Sequence, residues 1–312
     1  MKGLAAGGRG SYDGFPNAVA YLEEAVARQP DFAMAHATLA QAQHQFLFAG
    51  PLSPRETTPK AEAAARKALQ LDETLAQAHR TLGSILHTFY WQWDQGDNEF
   101  RRARQLDANS PATRTTGVAA LIRSGRFPEA IAESERARRL DPLSLNAYLN
   151  LGIAYRAAGQ YERAIAECRR ALQIVAAPRA HFELGVTFVL MDRWDDAIGA
   201  LATAVRSAAA QGGNARFQAY LGYAYAAAGR PLDARRILNE LESRAQQQYV
   251  SAFGIALIHD ALGEKEAALA ALERAYQDHA VEFAQMHQYP PFATIVTDPR
   301  FQETMRLVGL PR

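Results

Sequence analysis

The chain has 312 residues, 48% of them apolar, enough to bury a large core as two globular domains or as one extended array. Its 34 lysines and arginines against 33 aspartates and glutamates leave a formal net charge of +1, which gives no long-range pull on nucleic acid or an anionic membrane. One cysteine, Cys168, rules out a disulfide or thiolate cluster within the chain, and no apolar run reaches spanning length, so a soluble, cytoplasmic protein is expected.

Met1 to Phe15 carries glycine and polar residues where a secretory leader needs an apolar centre, and is too rich in glycine for a sound helix. The first regular element is therefore a helix over Asn17 to Arg28, the second half of a degenerate opening unit at 1–30. From there a ruler of small residues sets the organisation. Ala25, Ala68, Ala103, Ala137, Ala171, Ala204, Leu241 and Ala275 lie 43, 35, 34, 34, 33, 37 and 34 residues apart. Each follows a small residue seven places earlier, from Ala18 and Ala61 to Ala234 and Ala268. A period this steady predicts stacked helix-turn-helix units. They are placed at 33–72, 76–107, 111–144, 145–177, 178–210, 215–245 and 249–279, with a capping segment at 280–312.

The irregular intervals follow in order. Pro51, Pro54 and Pro59 fall in the longest interval and predict a loop over Ala49 to Pro59, since proline is unsuited to a helix interior. Tyr90-Trp91-Gln92-Trp93 puts three large aromatics at a turn, where packing is expected and not a base-stacking platform. Ala176 to Pro178 marks a junction shortened by one residue, and Gly212-Gly213 a lengthened one. Near the end, Asp298 is placed to cap a short helix that starts at Pro299 and carries Phe301, Met305 and Val308 on one face.

Within a unit the first helix carries an aromatic-x2-Leu-Gly-x2-Tyr pattern, the turn a glycine, and the second helix Ala-x3-large-x2-Ala. Tyr148, Leu151, Gly152, Tyr155, Gly159, Tyr161, Ala164 and Ala171 give the clearest copy. Leu82-Gly83, Leu184-Gly185 and Leu221-Gly222 repeat its first half, and Gly125, Gly229 and Gly263 its turn. This pattern resembles the tetratricopeptide repeat, over most of the chain. The resemblance implies an all-α, right-handed superhelical solenoid whose first helices line a concave face that receives a segment of another protein. The slots that face such a groove fall on Arg80, Ser84, His87, Thr115, Arg123, Asn150, Arg156, Arg179, Phe182, Val186, Tyr220 and Tyr223. Arg80, His87, Arg123, Asn150, Arg156, Arg179, Tyr220 and Tyr223 are the candidate partner-binding residues, with Asn150 at the slot where such grooves place an asparagine on the ligand backbone. Phe182, Val186 and Tyr223 also fit inter-helix core. Arg80, Arg123, Arg156 and Arg179 suit an acidic partner, because guanidinium meets carboxylate in a bidentate fork. The carboxylate clamp for chaperone tails is mostly missing: Ala112 and Thr116 precede Asn150, and Arg179 and Glu183 follow it.

A second resemblance rests on Tyr90-Trp91-Gln92-Trp93 ahead of Phe100-Arg101-Arg102-Ala103, on Leu140-Asp141-Pro142-Leu143-Ser144, on Leu262-Gly263-Glu264-Lys265 ahead of Leu272-Glu273-Arg274-Ala275-Tyr276, and on Asp298-Pro299-Arg300-Phe301 through Gly309-Leu310-Pro311. These segments look like the C-terminal repeat region of bacterial regulators that carry a winged-helix, cyclase or kinase domain in front. The resemblance implies a bacterial interaction or sensory module without those activities, and the incomplete opening unit suggests descent from a longer chain.

Signatures of catalysis are missing: no Gly-x4-Gly-Lys-Ser/Thr loop, Gly-x-Ser-x-Gly elbow, His-Glu-x2-His pair or calcium loop occurs. His36, His79 and His181 occupy one slot in three units, a repeat apart, so they are assigned to packing and not to metal. Cys168 reads as a buried, inert thiol, and Arg136, Arg138, Arg139, Arg235 and Arg236 as solvated surface. The expected function is a non-enzymatic scaffold or adaptor without cofactor, nucleic acid or membrane. Its alternative is a detached regulatory module docking a bacterial transcription or signalling protein, and self-association through open array ends is a further expectation.

Overall fold

The structure is a computed structural model that describes residues 14–48, 52–209, 213–288 and 292–310, leaving aside the side chains of 14–16, 46 and 288. The glycine-rich start, Ala49 to Pro51 and Gly212 therefore lie outside the described residues. Seventeen α-helices and one 3-10 helix make up the regular structure among them, with no strand. The helices are α1 (Gly14–Arg28), α2 (Ala33–Phe46), α3 (Pro54–Leu71), α4 (Ala76–Thr88), α5 (Trp93–Leu106), α6 (Pro111–Thr115), α7 (Val118–Arg123), α8 (Phe127–Leu140) and α9 (Leu145–Ala157). They continue as α10 (Tyr161–Ile174), α11 (Pro178–Val189), α12 (Trp194–Ala209), α13 (Ala215–Ala227), α14 (Pro231–Ala245), α15 (Ala252–Ala261), α16 (Lys265–Gln277), the 3-10 helix (Val281–Gln288) and α17 (Pro299–Val308). Each helix packs on its successor as a hairpin, from α2 with α3 to α15 with α16, and successive hairpins stack into an all-helical repeat solenoid.

The small-residue ruler marks the seams of this stack. Every anchor from Ala68 to Ala275 is buried, as is each partner seven residues before it. Without bulk at these points helix backbones approach closely, and larger side chains from the neighbour fill the adjacent space. Gly185 shows how tight the fit is: a Cβ there would lie 2.6 Å from Leu201 Cγ. At Gly152 the nearest atoms, Ala164 O and Cys168 Sγ, would be 3.4 Å away. Turns between paired helices need a left-handed residue, supplied by Gly125, Gly159, Gly229 and Gly263. In two units Trp91 (φ 54°) and Asp192 (φ 55°) take that role instead.

Two sequence expectations need correction. Pro59 lies inside α3, whose first turn begins at Pro54, so the connection ends at Ser53 and does not reach Pro59. The start is held by the Ser53 N–H donating to Glu56 Oε2 at 3.0 Å, and Pro59 forgoes only one bond, near the helix N-terminus. The first helix of the unit at 111–144 is also broken in two, because Thr116 turns extended (ψ 131°) and Gly117 left-handed (φ 84°) between α6 and α7.

The array bends back on itself. Trp91 stacks on Tyr276 and His279, with ring centroids 5.3 and 4.8 Å apart. His279 Nδ1 donates to Phe89 O at 2.8 Å, Trp93 Nε1 donates to Val308 O at 3.0 Å, and Arg55 donates to Gln277 O. Early and late units thus meet across roughly two hundred residues of sequence, leaving their ends joined to each other. α17 completes this end: Asp298 accepts the Arg300 N–H at 2.9 Å, and Phe301, Met305 and Val308 are buried. Among the described residues no helix is long and apolar enough to cross a membrane.

The two glycine environments predict opposite responses to one added methyl. Gly185→Ala must displace Leu201, and overpacking of about 1–3 kcal/mol outweighs the roughly 1 kcal/mol gain in helix propensity. Gly152→Ala keeps the gain at ordinary contact distance. Thermal unfolding is expected to show a lower midpoint for the first variant and an equal or higher one for the second.

Candidate functional site

The 3-10 helix Val281–Gln288 packs against α4, α7 and α9, all first helices of their units, so the first helices face inward and the chain lays a segment of itself on that face. Phe283 anchors the segment, buried edge-to-face against Phe253 (5.3 Å) and Trp91 (5.8 Å). Gln285 Oε1 accepts from Arg216 and Glu282 Oε2 from the Ser251 hydroxyl, both at 3.0 Å. His287 lies beside the Ala119 backbone and Arg123. Further on, the buried Asp260 carboxylate of α15 accepts the N–H groups of Ala293, Thr294 and Ile295 at 2.6, 2.9 and 3.1 Å. One acceptor thereby holds three consecutive backbone donors that have no regular secondary structure to satisfy them.

The eight candidate residues divide by environment. Arg179 is half-exposed, with 44% of its side chain accessible; it donates to Asn146 Oδ1 at 3.1 Å and lies 3.8 Å from Glu183. Asn150 is partly exposed on the neighbouring turn of α9. Arg123 lies over the Trp93 ring, 4.5 Å from its centroid, and 3.5 Å from Asp97, and burial lowers its pKa. His87 is buried between Trp93 and Phe100, with Nε2 3.0 Å from both Trp93 O and Asp97 Oδ1. Arg80 is mostly covered, its Nε without a hydrogen bond and its pKa lowered by burial against the opposing charge of Asp107. Tyr223 is partly buried, which pushes its hydroxyl up to about 12 with help from the Asp260 and Asp192 charges.

Arg156 and Tyr220 depart from the expectation of groove-lining side chains. Arg156 NH1 meets Glu183 Oε2 at 2.9 Å, with only 1% and 3% of the two side chains accessible, so its charge ties α9 to α11. Tyr220 is 0% exposed and packs edge-to-face on Phe182. Phe182 and Val186 are likewise buried. Both slots sit deeper than the repeat pattern implies, because neighbouring first helices press together along the inner face. Cys168 is buried and its thiol is pushed up to about 12. The aromatic slot of the first helix serves packing in three units, where His36, His79 and Tyr148 each bond the carbonyl six residues back, of Pro30, Glu73 and Pro142.

His87, Arg123, Asn150 and Arg179 come together around one recess of about 310 Å³, bounded also by Ser84, Thr115, His44, Phe48 and, from the 3-10 helix, Ala284 and Gln285. Arg80, Arg156, Tyr220 and Tyr223 do not line it. Sequence reasoning missed His44, Gln285 and Asp260. No local signal marks them, since their positions depend on closure of the array.

The tetratricopeptide repeat family model matches residues 118–181 and 182–250. No curated protein matches the sequence. Among solved structures, the chain is similar to PilW, a type IV pilus biogenesis factor (21% identity, TM-score 0.52, covering 69% of this chain and 94% of that one). It is also similar to the APC/C hetero-tetramer Cut9–Hcn1 (16% identity, TM-score 0.58, 79% of this chain and 46% of that one). A tetratricopeptide repeat protein from Parabacteroides merdae ATCC 43184 shares 12% identity at TM-score 0.51, covering 88% and 98%. At these identities the solved structures speak to fold alone, and together with the family match they support a tetratricopeptide repeat protein.

The two arginines on either side of Glu183 should separate sharply by stability. Arg156→Ala strands a buried carboxylate and is expected to cost about 3–5 kcal/mol, whereas Arg179→Ala stays within about 0.5 kcal/mol. Asp260→Ala leaves three backbone donors unmet, for a loss of about 3 kcal/mol or more. Denaturant unfolding measures all three, and hydrogen exchange at Ala293 to Ile295 is expected to accelerate in the last.

Proposed function

We propose that the chain is a non-catalytic interaction scaffold that receives an extended segment or helix of another polypeptide on its concave face, with Arg179 and Asn150 as exposed recognition residues. Tetratricopeptide repeat proteins are in general protein–protein interaction scaffolds. The observation that carries the reading here is the seat of Val281–Gln288: a short stretch of polypeptide packs on three inner helices, while Phe253, Trp91, Arg216 and Ser251 hold it through an aromatic anchor and side-chain hydrogen bonds. Beside that seat the face keeps a cation and an amide within reach of solvent. Guanidinium at Arg179 favours an acidic side chain, and the amide of Asn150 suits a ligand backbone, which has one donor and one acceptor per residue.

A photoreactive amino acid at position 179 is expected to cross-link a partner in cells, while the same group at Arg236 on α14, with 66% of its side chain exposed, is not. Cross-linking from 236 alone would overturn the concave-face reading. Arg179→Glu is expected to weaken capture of that partner about tenfold, equivalent to about 1.4 kcal/mol.

A further inference from the structure

The recess among α2, α4, α7 and α9 has a feature that polypeptide docking does not explain. His44 of α2 is 7% exposed, and its Nδ1 is buried without any hydrogen-bond partner. Its ring packs edge-to-face on Phe48 at 5.7 Å. Most buried polar groups in proteins are paired, because an unmet one loses its hydration for nothing in return. Burial lowers the His44 pKa to about 4, so at neutral pH the ring is uncharged and carries one N–H and one acceptor nitrogen.

The rest of the wall has a consistent sign. Among the described residues no aspartate or glutamate lines the recess, while Arg123 and Arg179 both do. Their carboxylate neighbours stand off at 3.5 Å (Asp97) and 3.8 Å (Glu183), beyond a good charge-assisted hydrogen bond. His87 also lines the wall, but its Nε2 is already engaged by Asp97 and Trp93 O. The hydroxyls of Thr88, Thr115 and Thr116 donate to carbonyls of their own helices. Ser84 and Asn150 complete the polar side. Phe48, Phe100, Ile122 and Ile153 supply an apolar wall, and the break between α6 and α7 brings Gly117 and Val118 to its edge. A volume of about 310 Å³ falls at the small end of the roughly 300–1,000 Å³ typical of small-molecule sites.

We propose that this recess binds a small organic acid, a carboxylate on a compact apolar body, with the charge toward Arg123 and Arg179 and the body against Phe48, Phe100 and Ile153. The uncharged His44 ring borders the body beside Phe48. The recess shares Arg179 and Asn150 with the face proposed for polypeptide capture, but its assignment rests on its own walls and stands whether or not that reading holds.

Full-length protein titrated with 3-phenylpropanoate, followed through the ring ¹H–¹⁵N signals of its histidines, tests the assignment. The His44 signal is expected to shift saturably, with no such shift for 3-phenylpropylamine, which keeps the body and reverses the charge. Arg179→Met is expected to weaken binding tenfold or more, read at the His44 signal. His44→Phe should leave the melting temperature equal or higher, since it removes an unmet polar group. No saturation by about 10 mM, where even a millimolar site is nearly full, would overturn the proposal. So would an equal response to the amine. A peptide ending in phenylalanine presents a carboxylate next to a similar ring; if it binds the recess more tightly than the free acid, the site belongs to a protein partner and the small-molecule assignment fails.

Discussion

The close approach of helix backbones at small-residue seams is the constraint on which the rest of the molecule depends. Ala164 and Ala171, or Ala197 and Ala204, leave no side chain to hold neighbouring helices apart, so each hairpin closes tightly and stacks on the next. That spacing is repeated along the chain, and the repetition turns local hairpins into a curved array with the first helices inside. Gly83, Gly185 and Gly222 carry the same constraint to its limit, where any Cβ would meet Phe100, Leu201 or Ile258 under 3 Å away. A concave face therefore follows from packing, before any residue is chosen for recognition.

Closure adds a second layer of organisation. Trp91 and His279 both hold left-handed backbone conformations, which a bulky residue adopts at a cost of about 1–3 kcal/mol, and they stack on each other at 8° between ring planes. The strain persists because the surroundings over-determine it: Tyr276 covers the other ring contact, and Phe89 O holds the His279 imidazole. Joining early and late units in this way brings Val281–Gln288 onto α4, α7 and α9, and the recess takes its boundary from both halves of the chain.

The fold was legible in the sequence because its determinants are local and periodic. A seven-residue spacing of small residues reports a seam, and a glycine after the first helix reports the turn in four units. Asn150 and Arg179 could be placed on the inner face for the same reason. What was not legible depends on contacts between distant units or on depth within the wall. Arg156 and Arg179 were treated alike by slot, yet one is neutralised inside by Glu183 and the other reaches solvent, a difference set by how closely α9 and α11 approach. Pro59 and the break at Gly117 escaped for a different cause: a helix start tolerates proline in its second turn, and a lone glycine within a helical pattern does not by itself announce a break.

The occupied part of the concave face also decides where a partner can engage. Displacing Val281–Gln288 would expose Phe283, whose burial contributes about 1.5–3 kcal/mol, and would break the hydrogen bonds to Arg216 and Ser251. It would also pull on the stretch that Asp260 grips through three backbone N–H groups. Together these exceed the few kcal/mol by which a typical weak peptide site is stabilised, a millimolar complex being worth only about 4 kcal/mol. A weakly bound partner of the kind proposed would thus gain more by docking beside the segment, where Arg179 and Asn150 are already accessible, than by replacing it. The resident segment works as a fixed wall of the site, and the shape a partner meets is set by closure of the array as much as by the repeat itself.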